Sequence, residues 1–105
     1  MTTFDQRENA FETEFAHQEE LKFRARERAV RNLAIWAAGR LGKTGEELEA
    51  YTREIVAADV SNPTPDTTVE RIAEALAPKG VSKAETRQMM DRLMAAADEA
   101  VRRPL

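Results

Sequence analysis

Apolar residues recur along this chain at intervals of three and four. Val30, Leu33, Ala34, Ala37, Ala38 and Leu41 fall on one face of a 3.6-residue helix, so that face is core. The same spacing returns at Leu48, Tyr51, Ile55 and Val56, at Val69, Ile72, Ala73 and Leu76, and at Thr86, Met90, Leu93, Ala97 and Val101. Four helices are therefore predicted, over residues 4–41, 46–60, 68–77 and 83–103, with no period-two segment that would read as a strand. The fold class that follows is all-α, a small four-helix bundle with a long first helix. Trp36 lies off the cleanest stripe and is expected to close an edge of the core, its ring covered and its N–H near water.

Punctuation agrees with periodicity. Thr44 with Glu47, Thr67 with Glu70 and Ser82 with Glu85 have the spacing in which a hydroxyl caps a free backbone N–H while the glutamate reaches back. Thr3 with Gln6 is a weaker copy at the front of the chain. Gly42 and Gly80 supply helix stops, and Asn62-Pro63-Thr64-Pro65 cannot continue a helix.

The front of the chain is out of proportion to this bundle. A helix over residues 4–41 outruns partners of about 10 to 21 residues, so part of it overhangs. Phe4, Phe11 and Phe15 form a sparse stripe at spacings of seven and four, and the core stripe is expected to start near Leu21, Phe23 and Val30. Residues 1–19 then read as a mobile N-terminal arm and residues 20–105 as the bundle domain. Charge divides similarly. Asp5, Glu8, Glu12, Glu14, Glu19 and Glu20 are offset only by Arg7, whereas Lys22, Arg24, Arg26, Arg28 and Arg31 face Glu27 alone. Solvated helix faces account for such charges; they do not account for three phenylalanines on a segment the bundle cannot cover. Aromatics at this spacing suit docking into a groove on a partner, the arm ordering as it binds.

Composition narrows the rest. With 42% hydrophobic and 33% charged residues the chain suits amphipathic helices, and a net charge of −3 argues against nucleic-acid binding. No cysteine and no apolar leader after Met1 point to a cytoplasmic protein, and the stretch from Ala29 to Leu41, broken by Arg31 and Arg40, is too short to insert in a membrane.

Catalytic chemistry finds no footing. One histidine without cysteine cannot build a zinc site of the usual type, so no metal is expected, and no nucleophile–base pair points to an enzyme. Gly42-Lys43-Thr44 resembles the end of a phosphate loop, but Ala37 stands where its first glycine belongs and a helix precedes it. His17, where arm meets basic collar, is the candidate for a pH-sensitive position.

A longer pattern remains: Phe4-Asp5-x-Arg7-Glu8-x-Ala10-Phe11-Glu12-x-x-Phe15-Ala16-His17, then Glu20, Phe23, Ala25, Arg31-Asn32-Leu33, Trp36-Ala37-Ala38, Leu41-Gly42, Gly45 and Tyr51. This resembles the zeta subunit (ATPase inhibitor) family of alphaproteobacterial F-type ATP synthases, formerly a domain of unknown function. The match is dense over residues 4–51 and thinner beyond. It departs at Glu14, where lysine is common, and at Gln18, where aspartate is. The resemblance implies an inhibitor whose arm enters the catalytic head at an interface of alpha, beta and gamma subunits and blocks ATP hydrolysis. It assigns partner contacts to Phe4, Arg7, Glu8, Phe11, Glu12 and Phe15. The free chain is expected to be monomeric and without a cofactor, although the family is linked with adenine-nucleotide binding at a site the sequence does not locate. The alternatives are a general helical interaction module and an adenine-nucleotide-sensing bundle.

Overall fold

The computed structural model describes residues 3–64 and 66–103, with side chains from Glu14 onward. Four helices follow one another: α1 (Thr3–Arg40), α2 (Gly45–Ser61), α3 (Thr67–Leu76) and α4 (Lys83–Arg102), with a short 3-10 turn at Ala77–Lys79. The molecule measures 63 × 28 × 27 Å, its long dimension set by the 38 residues of α1, about 57 Å at 1.5 Å per residue. Against α1 lie α2 and α4, and α3 bridges across to α4.

Both glycine stops work through the same geometry. Gly42 (φ 77°) and Gly80 (φ 80°) take the left-handed conformation after α1 and after the 3-10 turn. Lys43 N–H then reaches back to the Ala38 carbonyl at 2.9 Å, and Val81 N–H to that of Leu76 at 3.3 Å. These bonds satisfy carbonyls the helix end would leave open. The starts are less uniform than the sequence suggests. Ser82 caps α4, its hydroxyl accepting from Glu85 N–H at 3.1 Å. Thr44 precedes α2 in extended conformation but its side chain makes no capping bond. Thr67 is already inside α3: the residue before it is Asp66, whose carboxylate is taken by Arg87 of α4 instead of by the helix end.

Leu33, Val30, Ile72, Leu76, Val69 and Thr86 are the largest fully buried side chains, joined by Ile55, Met90 and Val81. Thr86 enters the core because its hydroxyl donates to the Ser82 carbonyl one turn back, at 3.2 Å. Alanines pave the α1 side: Ala25, Ala29, Ala34, Ala37 and Ala38 are all buried, which lets the neighbouring helices lie close. Leu41, Tyr51, Val56, Leu93 and Val101 pack partly buried around this centre. Trp36 is half-buried at its edge, with the Arg40 guanidinium 5.8 Å from the ring centroid.

One expected core position is wrong. Phe23 is 55% exposed. Residues two apart on a helix point about 200° apart, so Leu21 and Phe23 cannot share a face, and Leu21, Ala25 and Ala29 hold the buried one.

A polar cluster ties the helices together at the end of α2. Asp59 is 4% exposed. It accepts from Arg26 Nε at 3.1 Å and a terminal Arg26 nitrogen at 2.7 Å, and from the Thr68 hydroxyl at 2.6 Å. α1, α2 and α3 thus meet on one carboxylate. The Tyr51 hydroxyl, by contrast, is buried with no hydrogen-bond partner among the described residues. Its burial, followed by the charge of Glu54, raises its pKa.

Candidate partner-binding arm and its junction with the bundle

Between Thr3 and Ala38 the sequence has neither glycine nor proline, so nothing in it breaks α1 where the bundle ends. The cover over α1 does end. At the C-terminus of α4, Arg102 donates to the Gln18 side chain at 2.9 Å, and at the C-terminus of α2, Asp59 holds Arg26. Phe15 lies just ahead of both and is 62% exposed. Leu33 follows Phe15 by 18 residues, about five helical turns, so the two share one meridian of α1. Lys22 and Arg26 stand on nearly the same meridian between them, so Phe15 is an isolated apolar position there, ahead of the end of the covering helices.

Of the other residues assigned to partner contact, Phe4, Arg7, Glu8, Phe11 and Glu12, the backbone belongs to α1 and the side chains lie outside the described residues. His17 is exposed and lines an open groove of about 570 Å³ between α1 and the end of α4, together with Leu21, Arg24, Arg28, Arg102 and Arg103.

The basic collar is less free than its sequence suggests. Arg24 pairs with Glu20 at 2.6 Å and Arg31 with Glu27 at 3.4 Å, each one turn away, while Arg102 pairs with Asp98 and Arg103 with Glu99, both at 2.9 Å. Such exposed intrahelical pairs contribute about 0.3–0.5 kcal/mol each and mute the local positive field. Arg26 leaves the collar altogether and turns inward to Asp59. Burial alone would push the Asp59 carboxyl up; the hydrogen bonds from Arg26 and Thr68 and the charge of Arg26 outweigh it and hold the group below the usual aspartate range. Sequence reasoning missed this pair although the signal was present: Asp59 stands four residues after Ile55, on the buried side of α2.

Among the described residues no three His, Asp or Glu side chains come together as metal ligands, and no helix is long and apolar enough to cross a membrane. What the site offers is a helix running on past the bundle with Phe15 exposed on it.

No curated protein and no solved structure is significantly similar to the chain. The family model for the ATPase inhibitor subunit zeta, however, matches residues 1–100, nearly the whole chain and well past the densely patterned first half. With that match spanning arm and bundle alike, the chain belongs to the ATPase inhibitor subunit zeta family, a family of regulatory rather than catalytic subunits.

Proposed function

We propose that this inhibitor subunit acts through its N-terminal arm, residues 1–19, which enters the catalytic head of an F-type ATP synthase between alpha, beta and gamma subunits and blocks ATP hydrolysis. The observation that carries this reading is the exposure of Phe15 on a helix that runs on past the end of its own cover. An apolar stripe without cover is what a helix-in-groove partner takes up. Phe4, Phe11 and Phe15 are the anchors, and Arg7, Glu8 and Glu12 set register and encounter rate at the rim. Docking that orders a segment costs about 2–5 kcal/mol, an amount only the large apolar side chains can offset.

The test is hydrolysis by the isolated catalytic head titrated with the wild-type chain and with a Phe11→Ala, Phe15→Ala double variant. The variant should keep the wild-type melting profile and lose at least about 2 kcal/mol of affinity. Undiminished inhibition would remove the arm from the mechanism and leave the bundle as the inhibitory element.

A further inference from the structure

Four large apolar side chains are conspicuously exposed among the described residues: Phe15, Phe23, Ile35 and Val60. Single exposed apolar residues mean little. Here, however, three of the four gather where the arm leaves the bundle. Phe23 stands two turns, about 12 Å, along α1 from Phe15. Across from it, at the last turn of α2, are Val60, 51% exposed, and the exposed Pro63 just beyond the helix. Phe23, Val60 and Pro63 form the rim of a small cleft of about 70 Å³, whose remaining walls are Arg26, Glu27 and Asp59.

Two properties distinguish this shoulder from an incidental patch. Its base is fixed, because the Arg26–Asp59–Thr68 hydrogen bonds beneath it lock α1, α2 and the start of α3 together. A fixed surface loses little freedom when it binds. It is also too small to hold a partner alone: stable interfaces bury about 800 Å² on each side, far more than two side chains and a proline provide. Such a patch adds affinity as the continuation of a larger contact, and the arm is the contact it adjoins.

We infer that the docking surface of this protein continues from the arm onto the shoulder of Phe23, Val60 and Pro63, and that the cleft receives an aliphatic side chain from the same catalytic head that takes the arm. This rests on the arm-docking reading above. In that arrangement the arm supplies the blockade and the shoulder, being preformed, fixes how far and at what rotation the arm goes in. The charges of Arg26 and Asp59 are satisfied by one another, which leaves the cleft open to an apolar guest.

The experiment uses the full chain in three forms, wild type, Val60→Arg and Phe23→Ser, with the Phe11→Ala, Phe15→Ala double variant alongside. Binding to the purified catalytic head is read by fluorescence anisotropy, and inhibition by ATP hydrolysis at saturating chain. Both shoulder variants should melt as wild type, bind about tenfold more weakly and still inhibit fully at saturation. Val60→Ser, which removes the apolar surface without adding a charge, replaces the arginine variant if that one melts early. Unchanged affinity in well-folded shoulder variants overturns the inference and leaves the arm reading standing. An arm double variant that binds as wild type overturns both. Sedimentation of the free chain adds a separate check: a wild-type dimer abolished by Val60→Arg would assign the shoulder to a second copy of this chain and sink the proposal.

Discussion

The two halves of α1 make an instructive pair. From Leu21 to Ala38 the helix buries Leu21, Ala25, Ala29, Val30, Leu33, Ala34, Ala37 and Ala38, whereas Phe15, six residues earlier and on the meridian of Leu33, stands in solvent. Side-chain chemistry does not make this difference, since a phenylalanine gains more from burial than an alanine. Length and azimuth do: α2 and α4 are 17 and 20 residues, and Lys22, seven residues on from Phe15 along nearly the same meridian, is exposed even beside α4. Burial belongs to the pairing of elements, and a side chain on α1 is covered only where a neighbouring helix lies over its face.

The largest effect that can break this contrast is Leu33→Ala. Leu33 is fully buried at the centre, so truncation should cost about 2–5 kcal/mol in denaturant unfolding. Leu93, only partly buried, should cost less under the same substitution. A loss below about 0.5 kcal/mol at Leu33 would mean that the helices do not pack around it.

Next is Asp59→Ala, which strands Arg26 in a mostly covered site and should cost about 3 kcal/mol. The same carboxylate sets a pH dependence. Its folded pKa lies below its unfolded one, so its stabilisation is present at neutral pH and disappears as the pH falls below about 4 toward the folded value. Asp59→Asn should flatten that acid limb in thermal melts recorded from pH 6 to 2; an unaltered limb would assign the acid sensitivity to other carboxylates.

Smaller and opposite in sign is Tyr51→Phe. Deleting a buried hydroxyl that has no partner should raise stability by about 1 kcal/mol, and a loss of that size would reveal a hydrogen bond the hydroxyl makes. The smallest effect is Phe15→Ala, expected to shift unfolding by less than about 0.5 kcal/mol because the ring is already in water. A loss near that of Leu33→Ala would show the arm packed on the bundle and erase the distinction between the two halves of α1.

The helices were legible in the sequence to within a residue or so at each end, because Gly42, Gly80 and the Asn62-Pro63 break coincide with changes in apolar phase. Caps were less so. The Thr-x-x-Glu spacing at Thr44 and Thr67 is compatible with capping without requiring it, and at Thr67 the neighbouring Asp66 takes the position before the helix. Phe23 was misplaced because hydrophobicity was weighed ahead of azimuth, and small alanines mark the buried face of α1 better than its aromatics do. Of the arm, Phe15 was read as exposed and is. The shoulder escaped notice because Val60 and Pro63 come next to Phe23 only through the fold, and the Arg26–Asp59 pair because the two residues are 33 positions apart.

The uninterrupted run of α1 from Thr3 to Ala38 has a mechanical meaning. A chain with a glycine or proline between two functional parts can swing one without disturbing the other. With no such joint, twisting the arm twists the bundle, and each residue inserted between them would turn the arm by 100° and advance it by 1.5 Å. Inserting one alanine after Glu19 throws the aromatic stripe about a quarter-turn away from the shoulder, while inserting seven nearly restores its heading and lengthens the reach by about 10 Å. The heading of the arm relative to the bundle is set by counting residues along a single helix.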